Sequence, residues 1–190
     1  MTMTKKVYIF VANGTEETEA VGTYDTLKRG GIDAYFVSIN PTKEFTSSHG
    51  LQLTAHYTIE EVKDEVVDAV ALPGGMPGAT NLYECELLRE IITRHLEAGK
   101  HIAAMCASPL VFGRMGLLEG KKATAYPGFE EELKGAKYKE KPAVIDGQII
   151  TGRGPGYVFN FGAAIVGELV GYDKALEVAN GLLITEDLDD

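Results

Sequence analysis

A chain of 190 residues with 45% hydrophobic content can bury one sizeable core without disulfide support, and no uninterrupted apolar stretch nears the roughly 18 residues that span a bilayer. Its formal charge of −10 (18 Lys plus Arg, 28 Asp plus Glu) repels phosphate backbones and anionic lipid surfaces, and no basic patch offsets it, so neither nucleic acid nor membrane is an expected partner. Two cysteines, Cys85 and Cys106, make no disulfide framework, and no Cys/His cluster has zinc-ligand spacing, so no metal is expected.

The chain reads as one domain, residues 1–190, with no repeat or linker. Only six apolar or small residues, Val7 to Ala12, follow the Met1 to Lys6 segment. That is too short for a signal-peptide core, and the expected location is cytoplasmic.

Short β-branched runs alternate with segments of helical period, the pattern of a parallel sheet with crossover helices. The strand Lys6 to Val11 precedes a helix from about Glu16 to Arg29, which ends at Gly30 and Gly31. A strand at Asp33 to Ser38 leads into an irregular stretch, then a short extended piece, Leu51 to Ala55, and one acidic helical turn, Ile59 to Asp64. Asp68 to Leu72 reads as a buried strand stopped by Pro73, Gly74 and Gly75. An amphipathic helix runs from about Cys85 to Glu97, and the buried strand His101 to Met105 enters Cys106 and a helix from about Ser108 to Met115.

The Lys-rich stretch Lys134 to Lys141 reads as a solvated loop and the tail Glu186 to Asp190 as a solvated end. Ala143 to Asp146 and Gln148 to Thr151 form a hairpin about Gly147, whose second arm is expected to be central in the sheet. Helices Tyr157 to Leu169 and Lys174 to Leu183 close the chain.

Open α/β sheets bind ligands at the carboxyl ends of their strands. Four loops leave such ends: Asn13 to Glu19, Pro73 to Gly78, Cys106 to Pro109 and Gly152 to Gly156. Cys106 stands where strand becomes helix within about two residues, an arrangement like a nucleophile elbow. A helix N-terminus there favours thiolate over thiol, with Ser108 as a cap and Pro109 in the first turn. The same thiol also reads as a buried small hydrophobe.

Gly74 and Gly75 let backbone amides face a pocket and, with the Ala107 amide, form an oxyanion hole; alone, they also read as a simple turn. Glu16 and Glu17 suit a first helical turn capped by Thr15. Glu19, one turn on, either lies on the surface or faces the crevice, where burial would raise its pKa and let it donate to a thiolate.

Four motifs in register then resemble the ThiJ/PfpI superfamily, in its DJ-one-like branch: Asn13-Gly-Thr-Glu-Glu-Thr-Glu19, Leu72-Pro-Gly-Gly75 with Gly78 and Asn81-Leu82, Ala103-Ala-Met-Cys-Ala-Ser-Pro109, and Thr151-Gly-Arg-Gly-Pro-Gly156. The resemblance runs from about Lys6 to Leu183. It implies a flavodoxin-like three-layer α/β sandwich, with a mostly parallel central sheet and helices on both faces, and a homodimer.

It also implies an oxidation-prone Cys106 partnered by a protonated Glu19, backbone donors at Gly75 and Ala107, and a pocket completed by Gly74, Tyr126, Arg153, Gly154 and Pro155. Activities implied are cofactor-free conversion of small reactive carbonyls such as methylglyoxal, repair of glycated groups, and redox sensing or chaperoning after peroxide oxidises the cysteine to a sulfinate.

Departures from the pattern bear on mechanism. Tyr126 stands where close relatives carry a pocket histidine, and a phenol is no base near neutral pH. The peptidase branch has histidine directly after its nucleophile, where this chain has Ala107. All four histidines, His49, His56, His95 and His101, precede Cys106. His101 begins the strand that ends at Cys106, roughly 16 Å away, whereas His49 could reach the site across a dimer interface. Cys85, at a helix start, reads as a packing residue. A flavin site fits poorly, because the first loop is acidic and opens no Gly-rich phosphate cradle.

Overall fold

Runs of β-branched and aromatic residues bounded by turn residues become strands in the computed structural model, which describes residues 4–184. In chain order, β1 (Lys6–Val11) leads to α1 (Glu17–Arg29), β2 (Asp33–Ser38), a small hairpin of β3 (Glu44–Thr46) and β4 (Gln52–Thr54), β5 (Tyr57–Thr58) and the single turn α2 (Ile59–Val62). Next, β6 (Ala69–Leu72) precedes α3 (Gly78–Glu84) and α4 (Glu86–Glu97), and β7 (His101–Met105) precedes α5 (Pro109–Arg114). The two-residue strands β8 (Lys122–Ala123) and β9 (Lys137–Tyr138) pair with each other, and β10 (Ala143–Asp146), β11 (Ile149–Gly152), α6 (Val158–Leu169) and α7 (Tyr172–Gly181) complete the order.

The main sheet has seven strands in the order β10-β11-β7-β6-β1-β2-β5, and only the β10–β11 pair is antiparallel. Alternation along β1 sorts side chains between two cores. Val7, Ile9 and Val11 pack with Ala20 and Leu27 of α1 and with Phe161, Ile165 and Val166 of α6. Tyr8 and Phe10 face the other way, among Leu82 of α3, Leu88 and Ile91 of α4 and Phe112 of α5. Helices thus cover both faces of a mostly parallel sheet, the expected three-layer α/β arrangement. Among the described residues no helix is long and apolar enough to cross a membrane.

The structure corrects several expectations. The hairpin's second arm, β11, is interior but lies one strand from the edge. The stretch before Gln52 holds β3, of which only Phe45 is buried, so three residues carried no readable alternation. Helix α3 went unpredicted because Gly78 and Asn81 are weak helix formers, and burial of Ala79 and Leu82 overrides that preference. The Lys-rich stretch is not simply loop, since β9 lies within it. The final helix runs over Tyr172–Gly181, earlier than expected. The tail at 186–190 lies outside the described residues.

Candidate active site

The chain leaves β1 toward β2 on one side and later returns to β6 on the other, so the strand order reverses between β1 and β6. Connections diverge to opposite faces there and open a crevice at the strands' carboxyl ends. The loop after β1 and the loop after β6 are tied across it, with Glu16 N donating to Gly74 O at 2.9 Å and Gly78 N to Gly14 O at 3.3 Å. Cys106, at the end of the neighbouring strand β7, borders the same crevice.

Cys106 is held at φ 60°, in the left-handed region that side-chain-bearing residues seldom occupy. Such backbone costs of the order of 1–3 kcal/mol and persists only where neighbours over-determine it. Here they do. Its amide donates to Gly152 O and its carbonyl accepts from Tyr126 N, both at 2.9 Å. Ser108 does not cap α5 as expected. Its hydroxyl donates to Pro73 O at 2.5 Å, pinning the Cys106 turn to the loop after β6, while Pro109 does start the helix.

Glu19 is fully buried on the first turn of α1. Its Oε2 accepts from Gly74 N at 2.6 Å and the carboxyl lies beside Cys106, while buried Oε1 has no hydrogen-bond partner among the described residues. Burial pushes the carboxyl up to about 7, against the pull of the Cys106 and Gly74 contacts, and the charge on Glu16 raises it further. Burial and the Glu19 charge also hold the thiol up, while the nearby amides of Gly75 and Ala107 pull it down. Protonating Glu19 removes that repulsion and gives the carboxyl a proton to share with the thiol.

The glycines are obligatory for geometric reasons. A Cβ on Gly74 would lie 2.6 Å from Cys106 Cβ and 2.8 Å from Glu19 Oε2. Gly75 sits at φ 91°, and a Cβ there would collide with Glu16 N and Gly14 O. The Gly74 amide donates to Glu19, which removes it from the expected set of donors at the sulfur.

Tyr126, Arg153, Gly154 and Pro155 lie beside this pair rather than on it. With Pro127, Gly156 and Tyr157 they line a neighbouring cavity of about 360 Å³. Arg153 donates to Glu140 Oε1 at 2.6 Å.

Sequence reasoning missed Glu140, thirteen residues away with no motif to join the two. It also missed that Glu16, not Thr15, caps α1, its carboxylate accepting from Glu19 N at 2.6 Å. Thr15 Oγ1 accepts instead from Ala12 N. Cap propensity favours threonine, and only the tertiary turn reverses the choice.

The histidines are placed individually. His95 is buried, bonded to Ile91 O and accepting from Val67 N; His56 accepts from Phe36 N; His101 pairs with Glu168. His49 is exposed on the β3–β4 hairpin, 3.0 Å from Glu17 Oε1. Glu16, Glu17 and His49 bring ligand atoms within 4.8 Å of one another. Those carboxylates already serve the α1 cap, His49 and Ser48.

Comparison with known proteins agrees with this fold. A model of the DJ-1/PfpI family matches residues 5–168. Protein DJ-1 homolog B of Arabidopsis thaliana is 42% identical over 183 residues, 95% of this chain and 42% of that protein. The chain spans less than half the length of the two Arabidopsis relatives it matches. A Caenorhabditis elegans protein named glutathione-independent glyoxalase DJR-1.2 is 29% identical over 172 residues, 90% of this chain and 91% of its own. The structure of oxidized Toxoplasma gondii DJ-1 superposes with a TM-score of 0.91 at 36% identity, covering 94% of this chain and 98% of that one.

Proposed function

The chain belongs to the DJ-1/PfpI family, and from that premise we propose that it is a cofactor-independent cysteine enzyme of glyoxalase type, converting small oxoaldehydes to hydroxy acids. The observation that carries this reading is the thiol of Cys106, held at a strained elbow between a buried, near-neutral carboxyl and two backbone amides. It is a pre-arranged nucleophile with its own proton carrier.

In the proposed reaction Sγ attacks the aldehyde carbon, the C=O electron pair moves to oxygen, and the Glu19 proton converts that oxygen to a hydroxyl. Glu19 then removes the C–H proton of the hemithioacetal, giving an enediolate, and returns it to the adjacent carbon while the hydroxyl proton passes to that carbon's oxygen, leaving a thioester. Water hydrolyses the thioester and restores the thiol. One carbon is oxidised, its neighbour reduced, and the sum is addition of water, so no external oxidant is needed. The amides of Gly75 and Ala107 stabilise negative charge at or next to the sulfur. No histidine is required, which suits a site with Tyr126 beside it. The homodimer and a cytoplasmic location belong to the same proposal.

Lactate formation from methylglyoxal tests it. Turnover by the wild type and its loss in Cys106→Ala support the reading; a variant with full activity, or an inert wild type across small oxoaldehydes, sinks it.

The same two amides favour a second reading, peroxide sensing, because oxygens added to Sγ would meet them and the Glu19 carboxyl directly. Two peroxide molecules each deliver one oxygen to sulfur and depart as water. Intact mass after peroxide titration should show a two-oxygen adduct on Cys106 alone, and indiscriminate oxidation of both cysteines would count against it.

A further inference from the structure

The cavity beside the reactive pair has an unusual wall for an acidic protein. Arg153 lines it with the rings of Tyr126 and Tyr157, both more than a third exposed, and with the Pro127 and Gly154–Gly156 backbone. Two backbone bonds join this wall to the thiol-bearing residue: Tyr126 N reaches Cys106 O, and Cys106 N reaches Gly152 O, next to Arg153. Gly154 packs against the Tyr126 ring so closely that a Cβ would lie 3.0 Å from Cδ2, fixing the loop on the aromatic face.

The guanidinium is only partly committed. A single hydrogen bond joins it to Glu140, whose side chain is 70% exposed, while that of Arg153 is 21% exposed. A guanidinium offers five N–H donors in a planar fork matched to a carboxylate or phosphate. An ion pair with so solvated a partner is worth little, so a ligand anion displaces Glu140 at small cost.

Resting on the proposed oxoaldehyde chemistry, we infer that Arg153 makes the site selective for oxoaldehydes bearing a carboxylate or phosphate a few atoms from the reacting carbonyl, with Glu140 holding the guanidinium in reserve. The net charge of −10 would otherwise slow the approach of such anions. A volume of about 360 Å³ suits a small substrate.

Two measurements test this. The first compares kcat/KM for dioxopentanoate, which has methylglyoxal's reacting end and a carboxylate two carbons beyond, with that for methylglyoxal. The second needs no turnover: Cys106 is alkylated by anionic iodoacetate or neutral iodoacetamide, iodide leaving as sulfur gains the carbon, and the two rates are read by intact mass. Arg153→Gln should lower both ratios by about tenfold, the worth of one charge-assisted contact. Glu140→Gln, which only frees the guanidinium, should raise them.

Unchanged ratios in Arg153→Gln overturn the inference, even if both substrates are consumed. If neither substrate is consumed but the alkylation ratio falls, the enzymatic reading fails and the anion site stands. Should Arg153→Gln not fold, Glu140→Gln decides alone, and an unaltered ratio there also overturns it.

Discussion

Cys85 stands immediately before α4 and Cys106 three residues before α5, and the two differ in backbone conformation and in the carboxyl beside them. Cys85 is the N-cap of α4, in ordinary extended backbone, half-buried against the core. Amides of Leu87 and Leu88 reach its sulfur, but burial outweighs them and the thiol is held above its ordinary value. Cys106 has comparable amide help and still heavier burial, and its distinction is the buried carboxyl of Glu19 and a strained turn braced by β11 and by the loop after β8. Proximity to a helix N-terminus leaves both thiols above their ordinary value. A proton-holding partner is what separates the two.

The comparison is broken most severely by exchanging the cysteines' fates. Cys106→Ala should reduce oxoaldehyde turnover by at least about a thousandfold, roughly 4 kcal/mol of transition-state stabilisation, while Cys85→Ala leaves it intact; steady-state kinetics on both variants decide it. Gly75→Ala should cost about 3 kcal/mol of folding stability, read from urea denaturation, because the new Cβ adds steric overlap to left-handed backbone. An equal cost for Gly99→Ala, where nothing lies within 4 Å of the added Cβ, would show that backbone strain alone explains it.

Glu19→Gln sharpens the comparison in pH rather than rate. Burial raises the Glu19 carboxyl from 4.5 to about 7, so the folded protein keeps a proton that the unfolded chain releases in that window. The stability from that proton is fully present below 4.5 and is lost as pH rises through about 7, on the order of 3 kcal/mol in all. The glutamine variant should lose that dependence, seen as a flatter difference between urea midpoints at about pH 5 and about pH 8. A parallel decline in both proteins would contradict it. His49→Gln is expected to do least, changing stability by less than about 1 kcal/mol and leaving Cys106 oxidation unchanged, because the His49–Glu17 pair is an exposed one. A clear fall in oxidation rate would bring that imidazole into the site.

Much of this was legible along the chain. The alternation of strands and helices, the glycine stops at Gly74 and Gly75, and the strand-to-helix step at Cys106 are local patterns, readable because each depends on neighbours in sequence. Ser108 and Thr15 show the limit: both are good caps by type, yet Ser108 bonds Pro73 O and Thr15 bonds Ala12 N, since the turns that hold them are set by distant strands. The pairing of Arg153 with Glu140 had no local signal at all.

The sequence by itself determined the fold class and which residue types stand at the ends of the parallel strands, because periodicity and turn chemistry are short-range. Only the tertiary structure decided that Glu19 is buried beside Cys106, that the Gly74 amide serves the carboxyl, and that Arg153 lines a cavity next door. Those outcomes depend on where β1, β6, β7 and β11 lie in the sheet, and a buried carboxyl acquires its raised pKa from solvent exclusion by residues far away in the chain.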